Sequence, residues 1–346
     1  MNLRVVLLSV LVAASTAAAW YLSSNEQNAT VSPASTLLEG LPQNSDAIEY
    51  VKIENATNVV FEARRQEGQW RAVHLDDSLS FPVDTKALST LIRRIAHASV
   101  VEKKTDNPAL YSRLGVEGLE ADAAESMLLT LEDGDRQWQV ILGNTSTRRH
   151  GQFVRQPEAP VSYLIDKVLT VPLSAAEWLK PDILSVSTEE LSSIRFWQAE
   201  KPELLISRTE TAGTAEPAAD NQRAWQAGII NDEQVTPVND NDLNYPGVLS
   251  QAIDDIFAFT YLQATPFSQA AWEANELAGK VDMTLNDNTR VLVEISQSNE
   301  LGQYYIHFEM PDSPSRVSDW VFTVSGYQGR AFLLSEKSII AGDNAS

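Results

Sequence analysis

The stretch IEYVKIENATNVVFEARRQEGQWRAVHLDDSLSFPVDTKALSTLIRRIAHASV (Ile48–Val100) contains two spacings of apolar residues, first that of strands and then that of a helix. Val51 and Ile53 alternate with polar residues, and Val59–Phe61 resume the apolar pattern after a polar turn. Alternation at every second residue is typical of half-buried strands. A third strand opens at Trp70, so this part of the chain predicts a three-stranded antiparallel meander.

A helix is predicted to follow the meander. Asp84 stands where a carboxylate would cap the first turn, and the residues behind it form one apolar helical face: Leu88, Leu91, Ile92 and Ile95. The same face recurs 161 positions later in Leu249, Ala252, Ile253 and Ile256. The strands recur as well from Leu191 onwards, and Trp225 matches Trp70. The chain therefore contains a second copy of the meander and helix.

Each copy continues with a hairpin and two further strands. Alternating apolar residues flank Asp133-Gly134 in the first copy and Asn286–Asn288 in the second, and Asp-Gly is a strong hairpin signal. The matches occur in the same order along both copies. We therefore predict an α+β fold of two tandem copies of a β-meander, helix and β-hairpin unit with mainly antiparallel sheets, preceded by one N-terminal transmembrane or signal helix.

These patterns divide the chain into six parts. We predict a membrane anchor or signal segment over residues 1–22, a flexible linker over 23–36, the first repeat over 37–168, a bridging segment over 169–190, the second repeat over 191–336 and a tail over 337–346. The linker is polar and has no apolar period, which is typical of a tether.

The N-terminal segment is an export signal in either of two forms. Val5–Leu22 carries no charge and is rich in Val, Leu and Ala. Ala17-Ala18-Ala19 offers a cleavage site of small residues, whereas a helix of this length would span roughly 27 Å, close to a bilayer core. Trp20-Tyr21 and Arg4 favour an anchor in the inner membrane, with the N-terminus in the cytoplasm and the bulk of the chain in the periplasm.

The composition excludes several classes of function. The net charge of −21 argues against nucleic acid and anionic lipid surfaces as partners, since both attract positive proteins. Because cysteine is absent, the chain has no disulfide, thiolate nucleophile or Cys-ligated metal. No G-x-S-x-G, S-x-x-K or H-E-x-x-H motif occurs. We therefore expect no enzyme activity, catalytic residue, cofactor or metal.

Two groups of residues remain as candidates for ligand binding. Arg148, Arg149 and His150 form a compact basic cluster, which is either a solvated turn that pairs with surface carboxylates or a site for a phosphate or carboxylate. Trp178 and Trp272 lie on predicted short helices and not on the strands whose tryptophans face the core. They are candidates for stacking against a ligand such as a sugar.

Several short sequence motifs of the chain resemble those of one bacterial family. They are a leading membrane segment, the strand-strand-Trp meander, Leu37–Leu41, Tyr111-x-x-Leu114-Gly115-Val116, Leu142-Gly143-Asn144 and Phe153-Val154-Arg155. Together they are similar to the domain-of-unknown-function family 4340, mainly over residues 45 to 240. Members of that family are similar to envelope proteins found beside the ABC-type transport components of gliding motility. The resemblance implies an accessory role at the inner membrane and supplies no catalytic residues.

Two functional hypotheses follow from these observations. The first is a non-catalytic, membrane-anchored periplasmic interaction module, accessory to an ABC-type transport or envelope complex and in contact with an inner-membrane protein such as a permease. The alternative is an extracytoplasmic sensor that binds a small molecule or glycan between the two repeats. A structural spacer and an envelope hydrolase are further readings that no motif favours.

Overall fold

The computed structural model describes residues 36–76, 78–181, 183–209, 225–232, 234–310 and 316–341. The predicted anchor over residues 1–22, nearly all of the predicted linker over 23–36 and the end of the predicted tail lie outside these residues. Within the described part of the chain, no helix is long and apolar enough to cross a membrane.

Nine strands form the first sheet. In chain order they are β1 (Tyr50–Glu54), β2 (Val59–Gln66), β3 (Gln69–Ala72), β4 (Phe81–Pro82), β5 (Val100–Lys103), β6 (Met127–Glu132), β7 (Gln137–Thr145), β8 (Gln152–Arg155) and β9 (Ser162–Ile165). Their spatial order is β4-β3-β2-β1-β6-β7-β8-β9-β5. The predicted meander and hairpin are therefore confirmed, and both lie within this sheet.

Nine further strands form the second sheet. They are β10 (Leu191–Trp197), β11 (Glu203–Arg208), β12 (Trp225–Asn231), β13 (Gln234–Pro237), β14 (Gln263–Pro266), β15 (Leu277–Leu285), β16 (Arg290–Ser296), β17 (Tyr304–Glu309) and β18 (Trp320–Val324). Their spatial order is β13-β12-β11-β10-β15-β16-β17-β18-β14. This is the order of the first sheet with nine added to every strand number.

The pairing register agrees between the sheets at the tryptophans that the sequence matched. Trp70 lies opposite Arg65 in the β2–β3 hairpin, and Trp225 lies opposite Arg208 in the β11–β12 hairpin. The predicted α+β class with mainly antiparallel sheets is confirmed. The short edge strands β4, β5, β13 and β14 were not predicted, because none is longer than four residues and none carries a run of alternating apolar residues.

Six short or medium α-helices accompany the sheets in the described residues. They are α1 (Leu41–Asn44), α2 (Thr85–Ala96), α3 (Val248–Phe257), α4 (Gln269–Glu273), α5 (Gly326–Ala331) and α6 (Glu336–Ile339), and 3-10 turns lie at Ser45–Ala47, Pro108–Arg113, Ala175–Trp178, Asp240–Asp242 and Val317–Asp319. The two apolar helical faces predicted from the sequence are both buried, in α2 and in α3.

The described residues form two compact units. One contains the described residues up to Ile48 together with Leu91–Thr170, and the other contains the described residues of Glu49–Thr90 and those from Val171 onwards. The division does not follow the order of the predicted repeats, because Glu49–Thr90 groups with the later part of the chain.

The unit that contains Leu91–Thr170 holds a buried arginine without a carboxylate partner among the described residues. The Arg155 guanidinium donates hydrogen bonds to the carbonyls of Val116, Pro157 and Ala159 at 2.9 to 3.2 Å. It also lies 4.7 Å from the centre of the Tyr111 ring. These contacts join the end of β8 to the segment between β5 and β6, and the carbonyl oxygens compensate for the loss of water around the cation.

The other unit has an aromatic core. Phe259 packs edge-on against Phe308, Phe322 and Phe332 with ring centres 5.1 to 5.9 Å apart. In the same unit, Trp178 stacks on Phe61 at 5.1 Å. Such pairs add stability beyond the apolar area that they bury.

We predict that Asp84→Ala lowers the free energy of unfolding by about 1 kcal/mol, since Asp84 caps helix α2. Its carboxylate accepts hydrogen bonds from the backbone amides of Lys86 and Ala87 at 2.9 and 3.1 Å. The measurement is chemical unfolding of the full-length protein. Asp84→Asn, which keeps an acceptor, should behave like the wild type; equal loss in both variants would contradict a capping role.

Candidate functional site

The two faces of the second sheet differ in burial because successive side chains of a strand point to opposite sides. On β10, Ile194 and Phe196 are buried, whereas Arg195 and Trp197 are exposed. The register places Phe196 opposite Leu204 of β11 and Val281 of β15, both also buried. We call the side that carries Arg195 and Trp197 the outer face.

Large apolar side chains are exposed on this second sheet. Trp197 on β10 is 40% exposed, Leu292 on β16 is 36% exposed and Val235 on the edge strand β13 is 52% exposed. On the described strands of the first sheet, Val101 of β5 is the one large apolar residue with comparable exposure. Exposed apolar residues therefore concentrate on the second sheet.

The corresponding positions of the first sheet are polar. Glu54 follows Ile53, whose partner is Phe61, just as Trp197 follows Phe196, whose partner is Leu204. Gln139 lies between the buried Trp138 and Val140, and Leu292 lies between the buried Val291 and Val293. The sequence match of these two strands therefore sets Gln139 at the position of Leu292. The fold therefore does not require an apolar residue at either position.

Side chains of the outer face lie in rows across the strands. Trp197 is opposite Lys280, and Lys280 is opposite Glu294. In the next row, Arg195 is opposite Asp282, Asp282 is opposite Leu292, and Leu292 is opposite Glu309. Facing positions in adjacent strands are close enough for their side chains to touch. Two apolar residues are thus set among charged ones.

Ion pairs occupy most of the charged positions. Lys280 and Glu294 are 2.7 Å apart, and Arg195–Glu203 and Arg290–Asp282 are further pairs. Exposed pairs of this kind contribute little to stability, typically about 0 to 1 kcal/mol. In the described part of the chain, the exposed carboxylate of Glu309 has no ion-pair or hydrogen-bond partner.

Two adjoining grooves run over the outer face. One has a volume of about 260 Å³, and its lining includes Arg195, Trp197, Lys280, Leu292, Glu294 and Glu309. The other has a volume of about 560 Å³ and includes Leu205, Ile230, Val235 and Arg290. Arg195 and Asp282 line both grooves, so the two are continuous parts of one surface.

Glu294 connects the groove to a buried cluster beside it. One carboxylate oxygen accepts from Lys280 at 2.7 Å, and the other accepts from the indole N–H of Trp272 at 2.7 Å. His307 stacks on Phe267 at 3.9 Å and lies 5.6 Å from the Trp272 ring. Burial acts to raise the pKa of Glu294, but the hydrogen bonds from Lys280 and Trp272 outweigh it, so the pKa is lowered.

We predict that Glu294 makes stability depend on pH on the acid side. Because the pKa of Glu294 is lowered in the folded state, the ionised carboxylate stabilises the fold at pH values above the ordinary pKa of 4.5. This contribution is lost as the pH falls below that value. Glu294→Gln should therefore show a smaller loss of stability than the wild type between pH 7 and about pH 3. Denaturant unfolding of both proteins at each pH measures this loss of stability.

Glu300→Gln is the matched control, because Glu300 is exposed on a nearby loop. It should keep the pH dependence of the wild type. An unchanged slope in Glu294→Gln would show that the hydrogen bonds from Lys280 and Trp272 do not outweigh burial.

The three basic candidates from the sequence lie together on one exposed loop. Arg148, Arg149 and His150 are in the connection between β7 and β8 and are all exposed. The Arg149 guanidinium is 3.3 Å from the Glu102 carboxylate, which also pairs with Lys104. One arginine of the cluster thus pairs with a surface carboxylate, and a ligand role for the loop stays a prediction.

The two tryptophan candidates lie in the other compact unit. Trp178 is 1% exposed, and its indole N–H donates to the carbonyl of Pro172. Trp272 is 6% exposed and donates to Glu294. Both rings are therefore covered by protein atoms, and Trp272 is the one that adjoins the groove through Glu294. A stacking role for either ring stays a prediction.

Two of the sequence motifs that carried the family resemblance are in contact in the structure. The backbone amide of Asn144 donates to the carbonyl of Leu114 at 2.8 Å, and Gly115 has a φ of +65° beneath the Asn144 side chain. Residues 70–234 match the family model described as Domain of unknown function (DUF4340). The family resemblance read from the sequence is confirmed over this segment. No curated protein and no solved structure matches the chain.

The DUF4340 match begins and ends inside the two sheets. It starts at Trp70 in β3 and stops at Gln234, the first residue of β13. Strands β1 and β2 precede it, and strands β14 to β18 follow it. The groove is divided in the same way, because β10 and β11 lie within the match whereas β15 to β17 lie beyond it.

We predict that a fragment of residues 70–234 does not fold cooperatively. Without β15, the buried residues of β10 lose their partners, among them Phe196, which faces Val281. Near-ultraviolet circular dichroism and denaturant unfolding should show no cooperative transition, whereas a fragment of residues 36–341 should show one. A sharp transition in the shorter fragment would mean that the matched segment is a complete folding unit.

Proposed function

We propose that this protein is a non-catalytic interaction module that docks a partner protein on the outer face of its second sheet. The observation that carries the proposal is the exposure of Trp197 and Leu292 at positions where the first sheet has Glu54 and Gln139. Because the fold tolerates polar residues there, the apolar side chains are explained by contact with another molecule.

The composition of the outer face fits protein recognition. Tryptophan and arginine are enriched where binding energy is concentrated in protein interfaces, and this face carries Trp197 with Arg195 two residues away. The surrounding ion pairs form a polar rim that selects the partner more than it adds affinity. A shallow, open groove is also a better match for a protein segment than for an enclosed small molecule.

We further propose that the two sheets are tandem copies of one ancestral unit. The identical strand order and the corresponding registers of Trp70 and Trp225 support this. After a duplication, the outer face of one copy can change without any change in the other copy. An apolar surface could therefore develop on the second sheet alone.

The membrane placement belongs to the same proposal. The uncharged run Val5–Leu22 after Arg4 would hold the chain in the inner membrane with the N-terminus in the cytoplasm. Residues 23–36 would then act as a tether for the periplasmic sheets. The partner that we propose is an ABC-type permease or another envelope protein, and the support for it is the family resemblance described from the sequence.

We predict that the full-length protein, tagged at Ser346, recovers permease subunits after mild crosslinking in native membranes. Trp197→Ala combined with Leu292→Ser should lower this recovery roughly tenfold or more, since loss of central apolar contacts of this kind costs more than 1 kcal/mol. Quantitative mass spectrometry of the captured proteins is the measurement.

Leu301→Ser provides the control, because Leu301 is 80% exposed on a loop outside the outer face. It should leave recovery unchanged. Recovery that is equal in all variants, or that contains only the protein itself, would contradict docking on this face.

A further inference from the structure

The outer face carries more negative than positive side chains around its apolar residues. The smaller groove is lined by the cations Arg195 and Lys280 and by the carboxylates Glu203, Asp282, Glu294 and Glu309. Arg290 supplies a further cation, which pairs with Asp282. The excess of negative charge agrees with the net charge of the whole chain, −21. A partner that bears positive charge is therefore favoured.

Glu309 is the carboxylate that remains available for a partner. Lys280 and Trp272 occupy both oxygens of Glu294, Arg195 pairs with Glu203, and Arg290 pairs with Asp282. Within the described residues, Glu309 alone among these four carboxylates has no such partner. It is exposed at the end of β17 and lies directly opposite Leu292.

The spacing of the apolar and charged positions defines what could bind. Trp197 and Leu292 lie on β10 and β16, which are separated by β15 and hence by about 10 Å. Leu292 and Glu309 occupy facing positions on adjacent strands, about 5 Å apart. A single extended or helical segment can reach all three with neighbouring side chains.

We infer that the partner presents a short segment in which an aliphatic or aromatic side chain, seated between Trp197 and Leu292, stands beside a lysine or arginine that pairs with Glu309. This inference rests on the proposed docking function and names the chemistry of the partner. The apolar residue supplies the affinity, and the cation fixes the orientation of the segment.

The test combines charge reversal with localisation of the contact. In the full-length protein, Glu309→Lys should lower partner recovery roughly tenfold at low salt, because it places like charges together, and Glu309→Gln should lower it less. Both effects should shrink at about 0.5 M salt, where charges are screened within a few ångströms. Glu300→Lys, an exposed glutamate outside the grooves, should have no effect.

A photocrosslinking amino acid at Thr284, which lines the larger groove, then identifies the bound segment. A crosslinked peptide with a lysine or arginine next to an apolar residue is the expected result. An acidic peptide, a peptide of this protein itself or an unchanged recovery in Glu309→Lys would overturn the inference. If Trp197→Ala with Leu292→Ser nevertheless lowered recovery, the docking function would stand; if that double variant also had no effect, the docking function and the inference would both fail.

Discussion

The antiparallel register of β10 between β11 and β15 is the constraint on which the candidate surface depends. Phe196 faces Leu204 on one side and Val281 on the other, and all three are buried. Because side chains alternate along a strand, this pairing directs Trp197 and Arg195 to the opposite face. A shift of one residue would bury the charged side chains and expose the core, so the apolar core holds the composition of the outer face in place.

The two sheets carry different side chains at one corresponding position. In the first sheet Arg155 of β8 faces Ile141 of β7 and lies under the Tyr111 ring. At the corresponding place in the second sheet, His307 of β17 faces Glu294 of β16 beside Trp272. Each places a nitrogen-bearing side chain of a strand, a guanidinium in one case and an imidazole in the other, beside an aromatic ring from the segment before the sixth strand. In the second sheet the carboxylate of Glu294 extends this arrangement to the surface, where it forms a wall of the groove.

Packing explains the segments that carried the family resemblance. Gly143 has no side chain because a Cβ there would lie 2.4 Å from the carbonyl oxygen of Leu114, and Gly115 adopts a left-handed conformation that favours glycine. With the carbonyl contacts of Arg155, these residues close one segment over the first sheet. Their contacts indicate a structural role for these residues.

The sequence by itself determined the local elements: the meanders, the hairpins, the buried faces of α2 and α3, the cap at Asp84 and the correspondence of Trp70 with Trp225. The elements each depend on residues close together in the chain, so their apolar period is visible in one stretch. The correspondence of the tryptophans follows from a comparison of two such stretches. Only the tertiary structure decided the strand order, the short edge strands and the outer-face rows that join Trp197 to Lys280 and Leu292 to Glu309. The pair of Trp197 and Lys280 joins strands that are far apart in the sequence, whereas Leu292 and Glu309 lie on consecutive strands. Both pairings depend on backbone hydrogen bonds, which leave no periodic signal in the sequence of either strand.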